Sequence, residues 1–405
     1  MLILKMAFRN TFRQKRRTIL TGLSMLAGYF LAVVFIGWSD GSYNHIIRAF
    51  TGNQLGHIQI HRKTYLDRPS LYKTIDDISR MSEILQQIKG VQSWAPRLFS
   101  AGLAAVGEKS AGVQIIGVDP EKETATTHFD KKIIEGHNFS PAPSHEAIIG
   151  KGLAEIFDAE INDEIVIISQ AADGSIANDL YPIIGISSSG NDISDRMSFY
   201  LHLRDAQDLL VLNGRVHEIA VTVDKLSHVS EITKLISKRL NNPELEVEPW
   251  QVFAKSFYQA MQADKQGMWI MLVIIVVIVA VGVLNTVLMS VLERRREYGL
   301  LKAVGTKPRQ IIKLVLLEVT ILAIFSILLG AVLGFGTNSF LSTHGIRFGE
   351  GFTYGGVEFD TMYSEINIRS LIIPAVTVLL CSTLVSFYPS IKAAKTEPAK
   401  TMRMH

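Results

Sequence analysis

Four long windows without a charged residue constrain the fold of this chain more than any other feature of its sequence. The windows cover residues 18–39, 267–292, 319–343 and 370–391. An α-helix needs about 20 mainly apolar residues to cross a hydrocarbon core about 30 Å thick, and each window is longer than that. The sequence therefore predicts a membrane protein with four transmembrane α-helices.

Six basic residues precede the first window: Lys5, Arg9, Arg13, Lys15, Arg16 and Arg17. A secretory signal has the same order of charges and apolar run, but this run is too long for one, and residues 37–40 offer no small-x-small cleavage site. We interpret the first window as an uncleaved anchor. Four apolar residues lie among these charges: Leu2, Met6, Phe8 and Phe12. Residues 1–17 therefore suit an interfacial helix at the cytoplasmic surface, and a simple positive flank explains them equally well.

The orientation follows from the distribution of lysine and arginine. Three short segments, the N-terminus, residues 293–313 and the tail at 392–405, hold 17 of the 41 Lys and Arg residues. Because such clusters mark the cytoplasmic side, we predict that both termini and residues 293–313 are cytoplasmic, with residues 40–266 and 344–369 outside. The remainder of the chain carries 24 basic and 35 acidic residues. Topology thus accounts for the basic patches, and no nucleic-acid partner is expected.

Residues 40–266 are too many for a loop and predict a folded α/β domain between the first two helices. Residues 57–61 alternate like a strand, and residues 75–88 have helical spacing after Thr74, which suits a cap. The stretches 99–106 and 112–118 flank a turn, which predicts a hairpin. Since the lone Cys381 lies in the fourth window, this domain must be stabilised by its own core.

A second strand–helix–strand unit follows later in the same domain, at residues 218–223, 229–240 and 245–249. Two such units around an intervening stretch suggest a split α/β sheet. The intervening stretch, about 119–210, is rich in turns and predicts an inserted β-rich subdomain. Its predicted elements are strands at 147–149, 164–169 and 181–186 and a helix at 151–157.

The polar segment 293–313, ERRREYGLLKAVGTKPRQIIK, lies between the second and third windows. It cannot lie in lipid, because each charge at the bilayer centre costs a few kcal/mol. Its spacing predicts a short helix with three residues on one face: Tyr298, Leu301 and Ala303. Lys302 falls among the charges of the opposite face, and Pro308 after Gly305 marks a break before the next span. A short amphipathic helix between two spans suits contact with a partner.

This segment resembles the cytoplasmic coupling helix of the FtsX-like and MacB-like permeases, a superfamily that includes the lipoprotein-releasing (Lol) permeases. Eight residues follow the signature E-R-x-x-E-[IY]-G-x-[LM]-[KR]-A-x-G: Glu293, Arg294, Glu297, Tyr298, Gly299, Lys302, Ala303 and Gly305. The segment departs from the usual pattern at Tyr298, where Ile is commoner, and at Thr306, where Ala is. The tail at 389–403 resembles the closing motif of the family, with Met402 where Leu is commoner.

The resemblance implies a MacB-type periplasmic domain and docking of a separate ABC ATPase on the coupling helix. Polar contacts are expected from Glu293, Arg294, Arg296, Glu297 and Lys302. Close packing is expected from Tyr298, Gly299 and Ala303, and a break in the helix is expected at Gly305. No G-x-x-x-x-G-K-[ST] loop occurs, so ATP and Mg would be bound by the partner and the chain itself needs no cofactor. The family also implies a second permease, either another copy or a paralogue.

Other chemistry is disfavoured by the residues available. His57 and His61 share one strand face, but neither a cysteine nor an obvious carboxylate completes a metal site, so we interpret them as solvated histidines. The charge-free spans offer no proton relay or ion site, which disfavours a secondary transporter or a channel. Five glycines in the spans suit close helix packing or are ordinary membrane glycines: Gly22, Gly28, Gly282, Gly330 and Gly334.

The predicted function is a permease of the bacterial inner membrane that extracts lipoproteins by mechanotransmission. Residues 250–266 contain no helix breaker and predict a stalk, with three apolar residues along a cargo path: Phe253, Phe257 and Met261. Lipid-like cargo would pass from there to a soluble periplasmic carrier. Two alternatives remain, namely MacB-like efflux of peptides or hydrophobic drugs, and FtsX-like activation of an external hydrolase.

Overall fold

A computed structural model describes residues 2–13, 15–354 and 357–397. The chain forms two compact units. The helical unit consists of Met1–Tyr43, Met261–Arg347 and Thr361–His405, and the α/β unit consists of Asn44–Ala260 and Phe348–Asp360. The closing part of the predicted tail, from residue 398, lies outside the described residues.

The helices are α1 (Leu2–Arg13), α2 (Lys15–Phe50), α3 (Ile78–Gln86), α4 (Pro120–Thr127), α5 (Lys151–Phe157), α6 (Asp192–Asp195), α7 (Leu203–Leu209), α8 (Val229–Leu240), α9 (Trp250–Phe253), α10 (Lys255–Glu293), α11 (Arg295–Ala303), α12 (Pro308–His344) and α13 (Ile368–Ala394). The strands are β1 (Ile58–Arg62), β2 (Val91–Val106), β3 (Lys109–Val118), β4 (Ile133–Gly136), β5 (Ala147–Gly150), β6 (Glu164–Gln170), β7 (Ile176–Ser187), β8 (Ser198–His202), β9 (Glu218–Val223), β10 (Leu245–Pro249), β11 (Ile346–Tyr354) and β12 (Val357–Met362). Short π-helical and 3-10 segments occur at Thr51–Leu55, Phe129–Lys132 and Leu226–His228.

In the described part of the chain, four helices are long and apolar enough to cross a membrane, as the charge-free windows predict. They cover Thr18–Phe50, Lys255–Glu293, Pro308–His344 and Ile368–Ala394, with lengths of 33, 39, 37 and 27 residues. Each contains one of the predicted windows and extends beyond it. Residues 346–354 and 357–362, expected only as part of an external connection, form the two-stranded sheet of β11 and β12.

Small residues allow the helices of the helical unit to pack closely. A Cβ atom at Gly334 would lie 2.7 Å from Val33 Cγ1, and one at Gly330 would lie 2.6 Å from Tyr29 Cδ1. Gly28 is crowded more closely still by Val279, whereas Gly22 and Gly282 make only ordinary contacts. Close packing is therefore the role of Gly28, Gly330 and Gly334.

Ten strands of the α/β unit form one sheet. Nine follow the order β10-β1-β9-β2-β3-β8-β5-β7-β4, and β6 pairs with both β2 and β7. The predicted hairpin is β2–β3, and the predicted second unit is β9–α8–β10. The strands predicted for the inserted stretch, β5, β6 and β7, extend this same sheet, because β8 runs parallel to β3 and β6 pairs antiparallel with β2.

Two helix boundaries differ from the sequence prediction. The helix predicted over residues 75–88 begins at Ile78, where Asp77 rather than Thr74 caps it by accepting a hydrogen bond from the Arg80 amide. Ile75 instead forms an isolated β-bridge with Val216. The helix predicted over residues 250–266 is interrupted at Ala254, whose backbone (φ −101°, ψ 44°) separates α9 from α10.

The two strand histidines are buried, so their interpretation as solvated residues is wrong. His57 is 7% exposed and His61 is 1% exposed, because β1 lies between β9 and β10. His57 Nδ1 accepts a hydrogen bond from the Val223 amide at 2.9 Å. His61 Nε2 lies 3.5 Å from a carboxylate oxygen of Glu218, which the sequence did not indicate. Among the described residues, no group of three or more His, Cys, Asp or Glu side chains is arranged to hold a metal ion.

A buried charge cluster lies beside His61 and consists of Arg97, Glu123 and Glu218. The guanidinium of Arg97 donates to Glu123 at 2.6 and 3.0 Å and to Glu218 at 3.1 Å. Burial alone would lower the pKa of Arg97, but the two carboxylates raise it overall. Burial alone would raise the pKa of Glu123, and Arg97 together with the Thr127 hydroxyl lowers it overall. The cluster therefore remains charged inside the fold.

His57 predicts an acid-sensitive step in the stability of the α/β unit. Burial, and to a lesser extent the charge of Arg48, lowers its pKa to about 4, against about 6.5 in an unfolded chain. Below pH 6.5 the unfolded chain takes up a proton that the folded chain does not, so stability is lost as the pH falls toward 4. We expect a loss of about 2 kcal/mol between pH 7 and pH 5, measured by hydrogen exchange of the β9 amides in the full chain.

Two matched variants distinguish the effect of His57 on stability from the effects of other groups that titrate in acid. His57→Gln keeps a hydrogen-bond acceptor near the Val223 amide but does not titrate, and it should flatten this part of the pH profile. His137→Gln changes an exposed histidine of the same unit and should leave the profile as it is. An unchanged slope in His57→Gln would contradict the assignment.

Candidate functional site

Helix α11 lies between α10 and α12, at the position predicted for a short polar helix. Arg294 is the only residue between α10 and α11, and residues 304–307 form the turn that leads to α12. Gly305 adopts φ +98°, a conformation that favours glycine, and Pro308 occupies the first turn of α12. The break expected from the sequence at Gly305 and Pro308 is therefore present, and the interruption at Arg294, which was not predicted, sets α11 apart from α10.

The inner face of α11 is buried in the helical unit. Tyr298 is 1% exposed and joins a buried apolar cluster with Ala7, Ile311 and Ala393, and Leu301 packs against that cluster. Gly299 is also buried. Burial raises the pKa of the Tyr298 hydroxyl above its usual range. Tyr298 and Gly299 therefore fix the position of α11 and present no surface to a partner in this structure.

Arg294 and three polar residues around it form what we call the Arg294 cluster: Asn10, Arg294, Glu297 and Glu318. Arg294 Nη1 donates to Glu318 Oε2 at 2.8 Å, and its Nε donates to Glu297 Oε2 at 2.9 Å. Asn10 Nδ2 donates to the other oxygen of Glu318 at 2.7 Å. Burial by itself lowers the pKa of Arg294, but Glu318 and Glu297 raise it overall, so the guanidinium stays charged. The cluster joins α1, the α10–α11 junction and α12.

Lys302 binds the end of α13. Its ammonium donates to the carbonyl of Ala394 at 3.0 Å and to that of Thr396 at 2.9 Å. A cation at this position is favourable, because the last carbonyls of a helix lack partners within the helix and carry partial negative charge. Lys302 was expected among charges that face a partner, and the structure instead places its ammonium on a neighbouring helix.

The outer face of α11 carries apolar side chains beside a positive charge. Arg296, Leu300, Ala303 and Val304 recur at helical spacing and are exposed. Leu300 is 59% exposed and Val304 is 82% exposed. We call these four residues the α11 outer face. Ala303 was predicted to share a face with Tyr298 and Leu301, and that prediction is wrong.

Sequence reasoning missed four residues of this region: Asn10, Leu300, Val304 and Glu318. The spacing of Leu300 and Val304 is a helical signal, but the adjacent Leu300 and Leu301 cannot both face outward, and the sequence does not say which one does. Glu318 immediately precedes the third charge-free window, and that position was the available signal for its burial. Glu293 at the end of α10 is exposed, as a surface contact requires.

The residues predicted to line a cargo path lie in two helices. Phe253 is half-buried at the end of α9, whereas Phe257 and Met261 lie in α10 and are 8% and 1% exposed. The ring of Phe257 stacks on that of Phe50 with centroids 3.9 Å apart. Phe257 and Met261 are therefore packed inside the chain, and they do not line an open apolar path of the kind that the sequence suggested.

Comparison with known families agrees with this arrangement. A family model described as the MacB-like periplasmic core domain matches residues 18–239, more than half of the chain. The chain belongs to this family. A second model, the FtsX-like permease C-terminal domain, matches residues 269–398 and thus includes α11 and α12. This MacB-like chain is an ABC transporter permease of the LolC, MacB and FtsX type, a multi-pass membrane protein with a periplasmic domain.

Individual relatives of the MacB-like chain are distant in sequence. It is 23% identical over 341 residues to the lipoprotein-releasing system transmembrane protein LolC of Neisseria meningitidis serogroup B, with 82% of each chain covered. It is 22% identical to the macrolide export ATP-binding/permease protein MacB of Shewanella sp. strain ANA-3, covering 98% of this chain and 60% of that one. The crystal structure of the periplasmic region of MacB from Actinobacillus actinomycetemcomitans covers 52% of this chain and 95% of that chain, with 17% identity and a TM-score of 0.39.

Proposed function

We propose that this chain is the permease of an ABC transporter that extracts lipoproteins from the outer face of the inner membrane. A separate ATPase would bind and hydrolyse ATP and dock on the α11 outer face. The observation that carries the docking proposal is the exposure of Leu300 and Val304 on a polar segment between two apolar helices. Permeases of this family work with an ATPase partner, and this face is the surface of α11 that remains available to one.

The chemistry of the α11 outer face suits such a partner. Full burial of a leucine or valine side chain contributes about 1.5–3 kcal/mol of favourable free energy. Leu300 and Val304 are exposed to water in this structure, so they offer an apolar anchor for a partner. Arg296, four residues before Leu300 in the same helix, supplies a charge for polar contacts beside the anchor, and Glu293 at the end of α10 is also exposed. The basic residues of segment 293–313 support a cytoplasmic location, where the ATPase would be, and those of the N-terminus and the tail support the same side for both termini.

The α11 outer face gives a direct test of docking. We expect Leu300→Asp combined with Val304→Asp to lower the ATPase that co-purifies with the permease at least tenfold, because two carboxylates would have to be buried without partners. Ile176→Asp combined with Ile193→Asp is the matched control, since these residues are 80% and 75% exposed in the α/β unit and their replacement introduces the same charge. Full retention of the ATPase by the double variant would contradict docking at this face.

The proposed cargo follows from the energetics of lipid extraction and from similarity to LolC. Withdrawing an acyl chain from lipid costs about 0.8 kcal/mol per CH₂, so release of a lipidated protein requires ATP and a receiving apolar site. We propose that a soluble periplasmic carrier provides that site. A second permease, either another copy of this chain or a paralogue, would complete the membrane path.

Efflux in the manner of MacB is the second candidate, because the MacB relative matches 98% of this chain whereas the LolC relative matches 82%. Depletion of the permease distinguishes the two candidates. Accumulation of lipoproteins in the inner membrane would support lipoprotein release. Normal lipoprotein sorting together with new sensitivity to drugs or peptides would assign the chain to efflux.

A further inference from the structure

The Arg294 cluster offers a rigid connection from α11 to the membrane helices, and this inference rests on the proposed docking of an ATPase. We infer that the Arg294–Glu318 ion pair transmits movement of α11 to α12, with Asn10 holding Glu318 in place. Arg294 and Glu318 are thus positioning residues for the coupling of ATP hydrolysis to movement in the membrane. Neither residue lies on the α11 outer face, so the pair acts after docking rather than in it.

The covalent link between α11 and α12 acts only on the first residues of α12. Residues 304–307 form a turn, and Gly305 within it has a left-handed backbone that only glycine adopts at low cost. The ion pair bypasses this turn. Glu318 lies ten residues beyond Pro308, which is about 15 Å along the axis of α12 at 1.5 Å per residue. A displacement of Arg294 therefore reaches the body of α12 directly.

Burial makes this connection persistent. The side chains of Arg294 and Glu318 are 8% and 13% exposed. In the neighbouring ion pair, Arg13 and Glu297 are 71% and 39% exposed, and Arg13 Nη1 lies 3.5 Å from Glu297 Oε1. Separating a buried pair removes the main partner of each charge where little water is present, which is less favourable than separating an exposed pair. When α11 moves, the structure therefore favours movement of Glu318 with Arg294 over breakage of their contact.

A small polar cavity beside the pair leaves room for adjustment. It has a volume of about 50 Å³, and Asn10, Thr21, Ser290 and Glu318 are among its lining residues. A polar cavity of this size can hold water, since one water molecule needs about 10–15 Å³ by the same measure. Water there would keep the charged groups hydrogen-bonded while α12 changes position.

The test measures movement of α12 and therefore does not depend on the cargo. In a chain with Cys381 replaced, Phe340→Cys carries a fluorophore at a position that is 59% exposed near the end of α12. The full chain is placed in nanodiscs with its ATPase, and the change in fluorescence between ADP and ATP is recorded. We expect Glu318→Gln, which preserves shape, to retain the bound ATPase and its ATP hydrolysis but to reduce the fluorescence change at least fivefold.

Exchanging the two charges distinguishes transmission from simple structural support. Arg294→Glu combined with Glu318→Arg and with Glu297→Gln, which avoids two facing carboxylates, restores an ion pair in reverse and should recover at least half of the fluorescence change, whereas Glu318→Arg alone should not. A full fluorescence change in Glu318→Gln, or no recovery in the exchanged chain, would overturn the inference. Loss of the ATPase from Glu318→Gln would also overturn it, since the pair would then act in docking. Failure of the unmodified chain to bind an ATPase would contradict the proposed function as well.

Discussion

Replacing Arg97 by methionine is expected to lower the free energy of unfolding of the α/β unit by about 3–5 kcal/mol. Arg97 is 6% exposed and binds two carboxylates that are themselves buried, Glu123 and Glu218. Methionine retains much of the volume but leaves two negative charges without a partner in the core. For a domain of this size the loss corresponds to a fall in Tm of roughly 6–20 °C. Thermal unfolding of the full chain in detergent, followed by tryptophan fluorescence, measures it.

An exposed ion pair in the same unit provides the control. Arg62 Nη2 lies 2.8 Å from Glu244 Oε2, but the two side chains are 36% and 67% exposed. Arg62→Met makes the same chemical change in water and should cost about 1 kcal/mol or less. Equal effects of Arg97→Met and Arg62→Met would mean that the buried cluster contributes no more than a surface pair.

Replacing Gly334 by leucine is expected to destabilise the packing of α12 on α2 by about 3 kcal/mol, at the upper end of the range for overpacked cores. The first added carbon would lie 2.7 Å from Val33 Cγ1 and 3.1 Å from Val33 Cβ. Because Val33 is branched at that carbon, it has no alternative rotamer that vacates the space, so the helices must separate. The measurement is the temperature at which half of the detergent-solubilised chain aggregates.

Gly336 provides the matched control in the same helix. It lies two residues from Gly334, and a Cβ atom there would meet nothing within 4 Å. Gly336→Leu should therefore leave the aggregation temperature nearly unchanged and can raise it slightly, since leucine is the better helix former. If both variants aggregate at the temperature of the unmodified chain, α2 and α12 are not packed through Gly334.

Elements with strong local signals were predictable from the sequence. The charge-free windows exceed the thickness of a bilayer, and each lies in one of the four long helices. The β2–β3 hairpin follows from its turn, and β9, α8 and β10 have the predicted bounds. Helix α4 was missed because its sequence, PEKETATT, has no apolar period. It is set instead by the Asp119 cap and by Pro120 in its first turn.

What the sequence could not supply is the environment that distant segments create. Alternation identified β1 as a strand, but the burial of His57 and His61 depends on neighbours that lie far along the chain. The position of α11 was predictable, whereas the choice between Leu300 and Leu301 for the outer face depends on packing against α1, α12 and α13. For the same reason Glu318 could be counted as a charge but not recognised as the partner of Arg294.

The position of β1 between β10 and β9 also imposes an order on biosynthesis. Ile58 pairs with Val221 on one side and with Pro249 on the other, so both neighbours of β1 are made more than 150 residues after it. At roughly 5–20 residues per second, β1 waits about 8–30 s after synthesis with both of its edges open. The sheet can be completed only after β10 has been synthesised, just before the ribosome delivers α10 to the insertion machinery. Export and membrane insertion of this chain are therefore coupled in time to the folding of its α/β unit.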